Sequence, residues 1–405
     1  MEFLDPIKEY EKTDPIDLVD FHEGVQSYVD IEYSKDKICI RAKEFIGVIP
    51  LNSQLSLIVN SRFPMENLLY IIFRANGYDH QIISTSTPKG PDTTKIMAQD
   101  YDSFMVFDFI VYGLLNHLKL LGTYGMLKEP RSKIYQDKIK GKILLKQTLN
   151  HWIRGRFDRI VCHHRELSRD NTPNQVIKLT LDVLQELGVH LLDEKIRHDF
   201  FIQKRLFDDI EVPRHLDLRE IEYRMKRGRL PRNYEKYYEI LPLCLMILNH
   251  VNINLDEFGT ISVSPFVVDM RKVFEEYISE IVSDCFISDN LSVEIQSEIA
   301  LFESESTRSI IPDILINNDV SRIVIDVKYK EEIKSADLYQ IITYMYRTNS
   351  DLGILIYPKS TVNKDIVSHS FKDKSVIVYF FDLLYPKESE KKLKSQLLSH
   401  LKIAF

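Results

Sequence analysis

The sequence predicts a multidomain α/β protein with a β-rich N-terminal domain, a mainly helical middle region and a C-terminal α/β domain. Three observations predict it. Short alternating or β-branched runs fill the first quarter, longer helix-periodic stretches fill the middle, and from about Pro265 helices alternate with apolar strands. A chain of 405 residues suffices for two or three domains. The expected divisions are 1–95, 96–262 and 263–405.

The N-terminal strands are read at Val25–Tyr33, Lys37–Ala42, Phe45–Ile49 and Leu55–Asn60, separated by turn residues such as Ser34-Lys35-Asp36 and Asn52-Ser53. A helix follows, with Pro64 at its first position and Gly77 past its end. The Ser-, Thr-, Pro- and Gly-rich stretch from Ser84 to Thr94 reads as a linker or exposed loop.

In the middle, one helix covers roughly Ser103–Leu121 and is expected to stop at Gly122. A second runs from about Pro173 to Leu187, capped by Asn171 or Thr172 and stopped by Gly188. A third covers Tyr234–Val251 and contains Pro242, which predicts a kink. The run Phe104–Leu121 is broken by Asp108, His117 and Lys119, which marks a core helix and no membrane span.

The C-terminal domain opens with an amphipathic helix over Val268–Phe286, whose packed side carries Met270, Val273, Phe274, Tyr277, Ile278, Ile281 and Val282. Strands are expected at Ser292–Ile299, Ile310–Asn317, Arg322–Tyr329, Gly353–Tyr357 and Val376–Asp382, with a helix at Ala336–Arg347.

Composition narrows the class. A net charge of -7 argues against a general polyanion coater. Cys39, Cys162, Cys244 and Cys285 show neither zinc-ribbon nor redox spacing, and the first twenty residues lack an apolar signal core. A reduced, cytoplasmic protein is the expectation.

The chemistry concentrates between Ile310 and Lys330. Two apolar runs flank the turn-prone Asn318-Asp319-Val320-Ser321. A hairpin symmetric about that turn puts Asp313 opposite Asp326, with Cβ atoms about 5 Å apart. Asp326 and Lys328 are two residues apart and leave one face of their strand. Such charges in an apolar hairpin are costly unless paired or holding a metal, and a hard divalent cation removes the repulsion between two carboxylates. Asp313 and Asp326 are therefore candidate ligands for Mg2+, with Mn2+ as a substitute, and Lys328 is the candidate cationic group for phosphodiester chemistry.

Two helices supply further candidates. Asp337, Gln340 and Tyr344 recur at three- and four-residue steps and share a face. Glu275 is the candidate third metal ligand or water-positioner, with Glu276 as the reserve, and a solvated helix charge is the alternative for both.

On these motifs the chain resembles the McrC family, the nuclease subunit of McrBC- and LlaJI-type restriction systems. The resemblance rests on Phe274-Glu275, Pro312-Asp313, Asp326-Val-Lys-Tyr-Lys330 and Gln340-x-x-x-Tyr344, and upstream on Phe45-Ile-Gly-Val-Ile49, Gly141-Lys142 and Glu166-Leu-Ser-Arg-Asp-Asn-Thr-Pro-Asn174. Ser61-Arg62-Phe63 departs from it, since a Pro-Lys-like pair is expected there.

The resemblance implies a PD-(D/E)xK, restriction-endonuclease-like nuclease domain with Asp313, Asp326, Lys328, Glu275, Gln340 and Tyr344 at its site. It also implies a McrB-like AAA+ GTPase ring as partner, docked through residues 1–95 and stimulated by them, and DNA as substrate. Double-strand cutting implies two nuclease sites. The chain has no Gly-x-x-x-x-Gly-Lys-Ser/Thr loop, so any motor belongs to the partner. The alternatives are a silent nuclease-fold adaptor that activates an NTPase, and a RecB-like repair nuclease.

Between Arg131 and Arg165 ten basic residues stand against two acidic ones, with Tyr135 and Trp152 interleaved. Lys138, Lys140, Lys142, Lys146, Arg154 and Arg156 are the candidate DNA contacts. Arg224, Lys226, Arg227, Arg229 and Arg232 form a second cluster. The same charges suit an acidic rim on a partner ring.

Overall fold

The computed structural model describes residues 2–52, 54–77, 106–135, 139–188, 194–213, 216–226, 236–249, 253–255, 261–263, 267–286, 292–302, 305–317, 322–360, 366–371 and 373–403. The loop expected at Ser84–Thr94, the turn at 318–321 and Lys138 lie outside them. Contacts divide the chain into two units, one of residues 1–107 with 265–405 and the other of 108–264. The N-terminal and C-terminal parts, expected as separate domains, thus share one unit.

In the first unit, β1 (Glu2–Phe3), β2 (Ile7–Lys8), β6 (Phe45–Pro50), β7 (Leu55–Asn60) and β13 (Val267–Asp269) form one sheet. A second contains β3 (Ile16–Asp17), β4 (Val29–Ser34) and β5 (Lys37–Ala42). Val29, Ile40, Ile49, Leu57 and Val59 are all buried in a shared cluster, because alternation sends every second side chain inward. The strand expected from Val25 begins at Val29, since Val25–Ser27 form a 3-10 turn. Helix α1 (Met65–Ala75) starts after Pro64, and Gly77 follows its end at φ 71.

Two contacts join the N-terminal residues to the C-terminal part of this unit. β13 pairs antiparallel with β6, Val268 opposite Ile46. Tyr70 of α1 and Tyr277 both donate hydroxyl hydrogen bonds to Glu390 Oε1, at 2.7 and 2.9 Å.

The second unit contains α2 (Val106–Tyr124), β8 (Glu129–Tyr135), β9 (Lys142–Ile143), α3 (Leu145–Ile153), β10 (Cys162–Ser168), α4 (Thr172–Gly188), α5 (Glu194–Arg205), α6 (Leu218–Lys226), α7 (Tyr237–Asn249) and the pair β11 (Ile253–Leu255) and β12 (Ile261–Val263). Helix α2 runs through Gly122, contrary to the sequence reading, and ends before Gly125 at φ 88. At Gly122 a Cβ would stand 3.2 Å from Leu206 Cδ1, so this glycine serves close packing instead of helix termination.

The upstream segments that carry the resemblance acquire structural roles here. Asn171 Oδ1 caps α4 by accepting from Asn174 N–H. Buried Asn174 donates to the carbonyls of Leu127 and Arg169 and accepts from Tyr237 OH. Gly141 sits at φ 83, with His163 O where a Cβ would require space.

The C-terminal part of the first unit is a six-stranded sheet in the order β14 (Ser292–Ile295), β17 (Ile314–Asn317), β18 (Arg322–Val327), β19 (Leu352–Pro358), β21 (Lys374–Phe381), β20 (Ile366–Phe371). Central β18 runs antiparallel to β17 and parallel to β19. The strand expected over 292–299 breaks at Gln296, whose φ is 50, and Ile299–Phe302 becomes β15, paired with β16 (Glu305–Ile310).

Helix α8 (Met270–Cys285), capped by Asp269, packs Phe274 and Tyr277 against Phe381. Helix α9 (Ser335–Thr348) packs Ile341, Tyr344 and Met345 with Leu315, Val324 and Leu355. Gly353 permits this approach, since Met345 Sδ and Ile341 Cγ1 occupy the space a Cβ would need. Helix α10 (Pro386–Ile403) closes the chain.

Candidate functional site

The β17–β18 ladder pairs Ile314 with Ile325 and Leu315 with Val324. One further step places Asp313 opposite Asp326, the register expected from the sequence. Asp326 shares the strand face of Val324, towards α9, because alternate residues point one way. It is 1% exposed.

The two strands are tied at this point. Val327 N–H donates to Asp313 Oδ2 at 2.6 Å. Lys328 Nζ lies 2.7 Å from Asp326 Oδ2. That approach gives the buried oxygen a counter-charge and a donor, and leaves Asp313 across the ladder with only part of the same ammonium's charge.

The electrostatics follow from this crowding. Burial raises the Asp313 carboxyl to about 7, and the charges of Asp326 and Glu275 push the same way. Burial also raises Asp326, against the opposing pull of Lys328. Burial works against the Lys328 ammonium, yet Asp326, Asp313 and Asp337 together hold its pKa above the ordinary value. One ammonium cannot satisfy two confined carboxylates. A hard divalent cation would. Asp313 and Asp326 fit such an ion.

Glu275, half-buried on α8, contributes its charge to both carboxylates. Its Oε1 accepts from Gln296 Nε2 at 2.6 Å. Among the described residues no group of three or more His, Cys, Asp and Glu stands ready at metal-ligand spacing. To join an ion between the two aspartates, Glu275 would have to turn from Gln296. Glu276 pairs instead with Lys272 at 3.9 Å along the helix.

Gln296 is a residue that sequence reasoning missed. Its N–H donates to Asp313 O at 2.9 Å while its amide holds Glu275, so it joins the two acidic elements. A left-handed glutamine inside an apparent strand leaves no local signal.

On α9, Gln340 Nε2 donates to Tyr344 OH at 2.6 Å, and Tyr344 OH donates to Ile311 O at 3.3 Å, two residues before Asp313. Asp337 has a different task. It receives Lys330 Nζ at 2.7 Å, Tyr357 OH at 2.8 Å and Lys334 N–H at 3.4 Å, anchoring the start of the helix. Lys330 and Tyr357 hold its pKa low although burial opposes them.

The basic candidates lie in the other unit. Lys142, Lys146, Arg154 and Arg156 are exposed around β9 and α3. Lys140 is partly engaged, 3.4 Å from Glu166 and 5.5 Å from the Tyr135 ring centre. Arg131 pairs with Asp170. Among the described residues no helix is long and apolar enough to cross a membrane.

A family model described as "McrBC 5-methylcytosine restriction system component" matches residues 40–358. No curated protein sequence matches the chain. Among solved structures, the chain is similar to one in the refined half-complex from the tetradecameric assembly of Thermococcus gammatolerans McrB AAA+ hexamers with bound McrC. That likeness has TM-score 0.64 and 15% identity, covering 98% of this chain and 100% of the other. A chain of the Thermococcus gammatolerans McrBC complex solved by cryo-EM is similar at TM-score 0.44 and 14% identity, covering 71% of this chain and 89% of the other.

Proposed function

Since the chain belongs to the McrBC 5-methylcytosine restriction system component family, we propose that it is the Mg2+-dependent DNA endonuclease subunit of a restriction complex, with a PD-(D/E)xK centre at Asp313, Asp326 and Lys328. The observation that carries this reading is the pair of confined carboxylates, Asp326 buried beside Lys328 and Asp313 opposite it, with one ammonium between them.

Asp313 and Asp326 would hold the ion, with Glu275 as the third carboxylate. Bound Mg2+, or Mn2+ in its place, supplies a hard Lewis acid to a phosphoryl oxygen and to water. The chain's own groups do the rest. Lys328 places its ammonium where it can orient the attacking water or offset charge developing on the phosphate. Tyr344, held by Gln340, braces the Asp313 strand through Ile311 O, and partly exposed Gln340 is the member of the pair that would meet the DNA backbone. Lys140, Lys142, Lys146, Arg154 and Arg156 offer a basic surface for phosphates, and Lys138 belongs to the same run of sequence.

The partner in this reading is a McrB-like AAA+ GTPase ring. The solved assembly to which the chain is similar contains McrB AAA+ hexamers with bound McrC. Docking is assigned to the N-terminal β sheets, and paired complexes would supply the two sites that a double-strand cut needs. Charge reversals on exposed N-terminal side chains suit a docking test better than deletion, because β6 also supports β13.

The test is to copurify the chain with the AAA+ protein and measure cleavage of circular DNA with Mg2+ and nucleotide. Cleavage abolished by Asp326→Ala and Lys328→Ala, in complexes that still assemble, supports the reading. A complex that stimulates nucleotide hydrolysis without cutting any DNA, under Mg2+ or Mn2+, indicates the adaptor instead.

A further inference from the structure

Tyr329 follows Lys328 and points to the opposite face of the sheet. Its ring is 3% exposed and lies 5.7 Å from that of Phe274, the neighbour of Glu275 on α8. Regular pairing of β18 ends at Val327, and only Lys328 N–H continues it, to Ile356 O at 2.8 Å. Beyond that point Lys330 is held by Asp337, and Tyr329 by residues that flank the N-terminal strands.

Tyr329 OH donates to Glu9 Oε2 at 2.7 Å, and Tyr10 OH donates to Tyr329 O at 3.0 Å. Arg62 N–H donates to Glu9 Oε1 at 3.3 Å. The Arg62 guanidinium lies 4.8 Å from the Tyr10 ring centre and 5.6 Å from that of Tyr329, and reaches Glu331 at 3.1 Å. Glu9 is 1% exposed. A carboxyl buried this deeply is costly without partners, and here its partners are the strand that carries Lys328 and the arginine where the sequence departs from its family.

We propose that Tyr329 is a positioning residue for the carboxylate–ammonium centre. Held by Glu9, Tyr10 and Arg62, it fixes Lys328 on its strand relative to Glu275 on α8. The N-terminal sheet is then part of the nuclease scaffold, and what binds that sheet can act on the centre through this side chain. The assignment rests on the nuclease reading for its catalytic consequence, while the physical hold on residues 325–330 can be measured independently.

The experiment uses the full chain in complex with its AAA+ partner, and compares wild type with Tyr329→Phe, Glu9→Ala, Glu9→Gln and Asp326→Ala. Tyr329→Phe keeps the ring and removes only the hydroxyl. It is expected to lower kcat for Mg2+-dependent cleavage by about tenfold or more with KM unchanged, as displaced reacting groups do. Hydrogen exchange should quicken at the amides of 327–330 while the melting midpoint moves by no more than a few degrees. Glu9→Ala should behave alike, and Glu9→Gln, which still accepts from the hydroxyl, should retain most of the rate. Wild-type kcat and wild-type exchange in Tyr329→Phe overturn the proposal. If Asp326→Ala cuts as well as wild type, the nuclease reading fails. Exchange then decides alone: quickening confined to 325–330 upholds the positioning role, and unchanged exchange overturns it.

Discussion

Asp313 Oδ2 accepts the Val327 backbone N–H at 2.6 Å, so the carboxylate of one strand is bonded to the peptide that follows Asp326 on the next. This bond sets the spacing of the two acids. It also exposes a test of what their proximity is for. Asp313→Asn keeps an acceptor for Val327 while removing one of two repelling charges. It should stabilise the metal-free protein by about 1 kcal/mol in urea unfolding near neutral pH, and lower cleavage by about 100-fold or more. Lower stability together with undiminished cleavage would refute both halves.

Binding of the ion should stabilise the fold by mass action. At a Mg2+ concentration about 100 times its Kd, wild type gains about 2.7 kcal/mol, read as a rise in melting midpoint over the EDTA-treated protein. Asp313→Ala and Asp326→Ala should show no such rise. Equal shifts in all three proteins would place the ion elsewhere.

Gln296→Gly isolates one amide. Glycine adopts the φ of 50 without strain, so the turn survives while Glu275 loses its partner. The expected outcome is a several-fold change in cleavage rate with a shifted Mg2+ dependence, measured by titrating the metal. Identical titration curves would make Gln296 a turn residue only.

Glu9 gives the fold a dependence on pH. Burial raises its carboxyl above 4.5, against Arg62 and the Tyr329 hydroxyl. A carboxyl that holds its proton more tightly when folded makes stability fall as pH rises from its unfolded pKa towards its folded one. Glu9→Gln removes that contribution. Its urea-unfolding free energy should therefore fall less steeply than that of wild type between about pH 5 and pH 7. Parallel profiles would contradict the assignment.

Gly141→Ala tests the second unit. At φ 83, with His163 O in the way of a Cβ, the substitution should cost about 1–3 kcal/mol. Trp152, the sole tryptophan, lies in the same unit and reports the unfolding by fluorescence.

Much of the site was legible because its signals are local. The positions of Asp313, Asp326 and Lys328 follow from a turn and a two-residue period, and the observed β17–β18 register agrees with that symmetry. The α8 and α9 spans follow from apolar periodicity in the same way. Gly122 misled because a glycine that ends a helix and one that admits a neighbour look alike in sequence. Only Leu206, more than eighty residues onward, separates the two readings.

By itself, then, the sequence determined the main helices and strands around the centre, the acidic hairpin, the aligned Gln340 and Tyr344, and the resemblance that led to the family. Each depends on residues a few positions apart, where backbone geometry dictates which side chains share a face. Tertiary structure alone decided that the N-terminal strands belong to the same unit as the acidic centre, that Gln296 joins Glu275 to Asp313, and that Glu9 holds Tyr329 across 320 residues of chain. The physical reason is that burial brings remote groups into one low-dielectric space, where an unpartnered carboxyl is costly and every donor must find its acceptor.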